Sequence, residues 1–206
     1  VAVLDYGIGN LRSAQKALQR VGADARLTAD PELIARADGV VLPGVGAFGR
    51  CVEELESAGL TDVATEAALG AAGGGRPFLG ICVGLQLLYE GSDECPDVRG
   101  LGVIDGRVEL LSGDVKRPQM QWNRLEKRGE HAMFDGLDGE AWTYFVHSYA
   151  PPVGPDTVAT CVYGDEVCAA IARGNLWACQ FHPEKSGDTG LRILSNFVAG
   201  IGSVAA

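Results

Sequence analysis

A cysteine at position 82 lies in Pro77-Phe78-Leu79-Gly80-Ile81-Cys82-Val83-Gly84-Leu85-Gln86-Leu87-Leu88, an apolar run with glycines two positions to either side and a helical pattern behind. The pattern predicts a strand, a tight turn and a helix. A nucleophile on such a turn is strained and accessible, and the flanking glycines remove side chains that would crowd the bend. At a helix N-terminus, free N–H groups and the positive end of the helix dipole favour thiolate over thiol, and thiolate is the form that attacks carbonyl carbon. Taken alone, Cys82 would read as a small buried hydrophobe, the usual place of a free cysteine.

A second segment changes that reading. In Leu176-Trp177-Ala178-Cys179-Gln180-Phe181-His182-Pro183-Glu184-Lys185-Ser186, a strand pattern ends in a histidine with a carboxylate two positions beyond. If the extended backbone continues through Pro183, both side chains project to one side. Glu184 then holds one ring nitrogen of His182 while the other faces the thiol. Cys82, His182 and Glu184 thus form a nucleophile, a base and an orienting acid.

These residues need a scaffold, and the first half of the chain supplies the pattern of one. Val1 to Asp5 reads as a strand, Asn10 to Val21 as an amphipathic helix, and Ala25 to Thr28 and Gly39 to Leu42 as strands. Phe48 to Leu69 is helical with an interruption at Gly59. Such alternation predicts an α/β fold, an open, mostly parallel twisted sheet with flanking helices. Beyond Gly91 the strand patterns at Arg107 to Leu111, Thr143 to Ser148, Thr157 to Tyr163 and Val167 to Ala172 predict an antiparallel extension. A helix from Thr189 to Ile201 closes the chain, and Gly70 to Gly75 is a flexible connection within a single domain spanning residues 1–206.

Composition excludes several function classes. With 206 residues, 47% of them hydrophobic, the chain can bury a full core. A net charge of -10 argues against nucleic-acid and anionic-membrane surfaces, which demand positive charge. The 6 cysteines show no CxxC spacing, which points to reduced thiols in a cytoplasmic protein with no metal site. No apolar run approaches the roughly 20 residues of a membrane span, and neither a signal peptide nor a cofactor motif is expected. Pro43-Gly44-Val45-Gly46 follows the third strand, at the edge where parallel sheets place their sites; it is either a plain loop or a phosphate cradle, although it lacks the full phosphate-loop spacing.

Gly80-Ile81-Cys82-Val83-Gly84 and His182-Pro183-Glu184 resemble the class I (triad) glutamine amidotransferases. With Asp5-Tyr6-Gly7-Ile8-Gly9-Asn10-Leu11-Arg12-Ser13, Pro43 to Phe48, Tyr144-Phe145-Val146-His147-Ser148-Tyr149 and His182 to Ser186, essentially the whole chain resembles the glutaminase subunits of imidazole glycerol phosphate synthases. The resemblance implies a flavodoxin-like fold and hydrolysis of L-glutamine to glutamate and ammonia through a covalent thioester. It also implies an oxyanion hole from the N–H groups of Val45 and Gly46, in a loop whose peptide flips to point inward, together with that of Val83, and glutamine binding by Gly44, Gln86, Glu94, Ser148 and Tyr149. The implied partner is a (β/α)8-barrel cyclase subunit forming a heterodimer, with Asn10, Trp122, Asn123 and Lys185 toward it. By residue type alone Glu94 would be a solvated loop acid, and Trp122 fits a core as well as an interface.

One segment departs from the family. Relatives read Pro-His-Met-Gly-Trp-Asn where this chain has Pro118-Gln119-Met120-Gln121-Trp122-Asn123, and Gln121 restricts the backbone if its φ is positive. That leaves open a paralogue feeding ammonia to another synthase. A stand-alone cysteine hydrolase or redox sensor shares the nucleophile turn but does not need His182, Glu184, Glu94 and Lys185 together.

Overall fold

A computed structural model describes residues 1–204. In chain order the elements are β1 (Ala2–Leu4), α1 (Leu11–Arg20), β2 (Arg26–Thr28), α2 (Pro31–Arg36), β3 (Val40–Gly44), α3 (Phe48–Ser57), α4 (Thr61–Ala72), β4 (Phe78–Cys82), α5 (Val83–Gln86), β5 (Tyr89–Ser92) and β6 (Cys95–Arg99). There follow β7 (Ile104–Leu110), β8 (Gln119–Lys127), β9 (Ala141–His147), β10 (Tyr149–Ala150), β11 (Thr157–Tyr163), β12 (Asp165–Arg173), β13 (Leu176–Cys179) and α6 (Gly187–Val204).

The main sheet has the order β2-β1-β3-β4-β13-β12-β11-β8-β9. Its first half, through β13, is parallel, and every pairing from β13 to β9 is antiparallel. The expected parallel sheet with an antiparallel extension is therefore observed. β1, β3 and β4 are buried along their whole length, as strands covered by helices on both faces must be, and their apolar runs show no alternation for that reason. β9 alternates buried and half-exposed residues, the mark of a strand covered on one face.

The structure also corrects several details. Arg107 to Leu111 does not extend the main sheet: β7 belongs to a separate sheet, β10-β7-β5-β6. The helix expected behind Cys82 is a single turn, Val83–Gln86, before the chain turns into β5. The long helical stretch is interrupted at Gly59, φ 67°, as expected, and divides there into α3 and α4. α2 has no counterpart in the sequence reading; its start is set by Asp30, whose side chain accepts from the N–H of Glu32 and Leu33, with Pro31 in the first turn.

Gln121 lies in regular β8 opposite Phe145, and Cys82 is the one non-glycine with positive φ among the described residues. Glutamine in place of glycine is thus unstrained there. Gln119, by contrast, is fully buried. Among the described residues no helix is long and apolar enough to cross a membrane.

Candidate active site

Cys82 ends β4 and stands where the backbone turns into α5, with φ 56° and ψ −109°. An L side chain in that region costs on the order of 1–2 kcal/mol, and the tight packing around the turn holds it there. A Cβ on Gly84 would lie 1.8 Å from the Leu42 carbonyl oxygen, and one on Gly80 2.8 Å from that of Gly84. The flanking glycines are therefore required by contact as well as by turn geometry. A four-residue helix sums few peptide dipoles, so the dipole contribution expected at Cys82 is small.

β13 runs parallel to β4 with Cys179 opposite Ile81, which carries the segment after β13 alongside Cys82. The extended backbone ends at His182, and Pro183–Lys185 forms a 3-10 turn instead of continuing the strand. The turn still brings Glu184 Oε1 to 2.8 Å from Nδ1 of His182, with both side chains nearly sealed from water. Burial alone would drive the His182 proton off. Interaction with Cys82 and Glu184 outweighs it and holds the ring at about 9, well above an ordinary histidine. Contact with Cys82 does the most to hold the proton, ahead of Glu184, although Nε2 of His182 makes no well-aligned hydrogen bond.

Cys82 and His182 share a cleft of about 530 Å³ whose lining also includes Asn10, Val45, Gly46, Val83, Gln86, Glu94, Ser148, Tyr149 and Lys185, with Glu184 behind His182. The end of β3, the loop after it and the start of α3 are each held by one bond. The Tyr6 hydroxyl donates to the Pro43 carbonyl at 2.6 Å, the Cys51 thiol to that of Val45 at 3.3 Å, and the Phe48 N–H donates to Glu94 Oε2 at 2.8 Å. With the Val45 carbonyl drawn toward Cys51, the Gly46 N–H points the opposite way across the trans peptide. Glu94 is half-buried rather than a free loop acid.

Gly44 pairs with Cys82 across β3 and β4, where a Cβ would sit 2.9 Å from both the Gly84 nitrogen and Val83 Cβ; it is a close-approach position behind the cleft wall. The carbonyls of Ser148 and Tyr149 are already engaged, the first by Leu111 N–H and the second by Gln86 and His147. Trp122 is 48% exposed, edge-on to Tyr144, which settles it as a surface residue. Asn123 is tied to the Val162 carbonyl at 2.9 Å, and Lys185 Nζ lies 6.0 Å from the Tyr144 ring centroid.

Two buried cleft neighbours escaped the sequence reading. Gln180 is fully buried with Nε2 3.7 Å from Cys82 Sγ. His147 lines the cleft, donates from Nδ1 to the Tyr149 carbonyl, and is pushed down to about 4 by burial, so it is neutral near pH 7. Both stood inside quoted segments, but nothing in their spacing marked them. Among the described residues no cluster of side chains could hold a metal ion, and the 6 cysteines are free.

A profile described as "Glutamine amidotransferase class-I" matches residues 2–201. The imidazole glycerol phosphate synthase subunit HisH of Syntrophotalea carbinolica is 47% identical over 206 aligned residues, covering 96% of this chain and 98% of the relative. HisH of Bacillus cereus is 43% identical, covering 96% and 93%. Among solved structures, a glutamine amidotransferase superposes with a TM-score of 0.75 at 22% identity, covering 98% of this chain and 99% of the other. PurLQS from Thermotoga maritima does so with 0.72 at 20%, covering 96% of each. The similarity to these structures confirms the fold, and the profile and the close relatives identify the chain as a member of the class-I glutamine amidotransferase family, among the HisH glutaminase subunits.

Proposed function

We propose that Cys82, His182 and Glu184 hydrolyse the side-chain amide of L-glutamine, and that the ammonia passes directly to a cyclase subunit bound over the cleft. The observation that carries this reading is the strained turn at Cys82 facing a histidine already oriented by a buried carboxylate. The Cys82 proton passes to His182, and the thiolate adds to the amide carbon to give a tetrahedral oxyanion. The N–H groups of Val45, Gly46 and Val83 receive that charge; loss of one such donor typically costs on the order of 100-fold in rate. His182 then gives its proton to the departing nitrogen, ammonia leaves, and a glutamyl thioester remains. Water, deprotonated by His182, cleaves the thioester to glutamate. Glu94 supplies a carboxylate for the substrate ammonium, with Gln86, Gly44, Ser148 and Tyr149 shaping the rest of the site.

Ammonia released into water becomes ammonium and loses its nucleophilicity, so a protected exit is chemically required. Asn10 and Lys185 at the cleft and half-exposed Trp122 beside Tyr144 suit a covering partner, here the barrel cyclase that makes imidazole glycerol phosphate in histidine biosynthesis as a heterodimer. Free thiols throughout suit a cytoplasmic enzyme.

The test is glutamate release by the purified chain, alone and with the cyclase and its nucleotide ligand, with Cys82→Ala as the blank. Stimulation that depends on both additions and vanishes in the variant is the expected result. Activity indifferent to the cyclase assigns the ammonia to another acceptor, and no activity under any condition overturns the glutaminase assignment.

A further inference from the structure

Behind the nucleophile lies a fixed row of side-chain amides separate from the Cys82–His182–Glu184 set. It begins at the main-chain carbonyl of Tyr149, which can only accept. Gln86 Nε2 lies 2.9 Å from that oxygen, so the nitrogen end of its amide is assigned, and its second N–H reaches Gln180 Oε1 at 3.1 Å. With Oε1 thus the acceptor, the end of Gln180 that faces Cys82 is Nε2, 3.7 Å from Sγ. Amide ends are otherwise interchangeable in a structure, and the network decides them. Here it starts from a group with one role and leaves a single orientation.

The placement follows from the sheet. Cys179 pairs with Ile81 in the parallel register of β13 and β4, so the next residue of each chain segment, Gln180 and Cys82, stand side by side as both strands end. The main-chain N–H of Gln180 donates to the Ala169 carbonyl at 2.9 Å, which fixes the backbone, and the residue is fully buried.

We propose that Gln180 is a catalytic residue, whose side-chain N–H donates to the sulfur of Cys82, stabilises it as thiolate and fixes the direction from which it attacks the glutamine amide. A donor bonds an ionised sulfur far more strongly than a protonated one, so it shifts the balance toward thiolate; the proton itself goes to His182, and Gln180 gives none up. With only one helical turn behind Cys82, this donor takes over much of what a longer helix would supply. The attack direction rests on the glutaminase reading, while the sulfur's ionisation is observable without it.

The experiment is the pH dependence of Cys82 alkylation by iodoacetamide, followed by peptide mapping of the full chain, with Cys82→Ala as the blank. Gln180→Leu removes the donor and raises the alkylation midpoint by about one pH unit, with kcat for glutamine falling roughly tenfold and KM little changed. Gln180→Glu keeps an acceptor for Gln86 but places a carboxylate against the sulfur, and raises the midpoint at least as far. Unmoved midpoints in both variants overturn the proposal. A midpoint moved by leucine but not by glutamate also overturns it, because Gln180 would then merely brace Gln86. A wild-type chain that releases no glutamate yet shows both shifts defeats the glutaminase reading and leaves the Gln180–Cys82 bond standing; an active wild type with unmoved midpoints does the reverse.

Discussion

Glu184 Oε1 lies 2.8 Å from His182 Nδ1 across a 3-10 turn that Ser186 fastens from below, its hydroxyl donating to the His182 carbonyl and accepting from the Tyr144 N–H. The carboxylate fixes which ring nitrogen carries the permanent proton, leaving Nε2 for the thiol and the leaving nitrogen. Glu184→Gln keeps the size but frees the ring to take the wrong tautomer. Steady-state glutamate release is expected to show kcat down by roughly 10²–10⁴ with KM nearly unchanged. A change confined to KM would remove Glu184 from the chemistry.

Glycine is needed at positions 84 and 46 for different reasons, and the two separate by stability. A Cβ at Gly84 would fall 1.8 Å from the Leu42 carbonyl oxygen, a backbone atom that cannot swing aside. At Gly46 nothing lies within 4 Å, and the only obstacle is φ of 87°. Gly84→Ala is expected to yield little folded protein. Gly46→Ala should fold with a loss of about 1–2 kcal/mol, read in a denaturant titration. Equal losses for the two would show that the turn at Cys82 is looser than described.

Glu94 both holds the Phe48 N–H at 2.8 Å and faces the cleft. Glu94→Gln retains an oxygen for that N–H while removing the charge that pairs with the substrate ammonium. The expected result is a KM for glutamine raised about tenfold or more, since hydrogen bonds to charged groups contribute roughly 1.5–3 kcal/mol. Reactivity of Cys82 toward iodoacetamide, which carries no ammonium, should stay as in the wild type; a loss there would mean that the loop had moved.

What could be read from residue order was what local spacing encodes. Glycines two positions from Cys82 fix a turn, and a histidine and acid two apart can meet whether the backbone between them is strand or 3-10 turn, so the expected partnership survived a mistaken local geometry. Gln180 and His147 were hidden because their importance arises only when β13 settles beside β4 and the Tyr149 carbonyl draws Gln86 and His147 together. The small sheet was obscured by β6, Cys-Pro-Asp-Val-Arg, whose proline and charges carry no strand signature. α2, with six residues, is too short to show a helical period, although Asp30 and Pro31 form a readable start.

The two cleft histidines are displaced in opposite senses, which gives stability a limb on each side of neutrality. His182 is held up to about 9 against about 6.5 in an unfolded chain, so the folded state binds that proton more tightly. Its contribution is complete below pH 6.5 and is lost as pH climbs through 9. His147 is pressed down to about 4 by burial, so its contribution is complete above pH 6.5 and is lost as pH falls through 4. Exposed carboxylates also shape the acid side and cancel in differences between variants, while His182 adds a small push to the lowering of His147, so the two rings are read together. Melting temperatures of wild type, His182→Asn and His147→Asn across pH 3.5–10 should show the His182→Asn deficit constant below pH 6.5 and shrinking above it. The His147→Asn difference should instead change only on acidification, in the direction that favours the variant, because asparagine has no proton to refuse. A His182→Asn deficit that persists unchanged to pH 10 would mean that His182 is not held protonated in the folded protein.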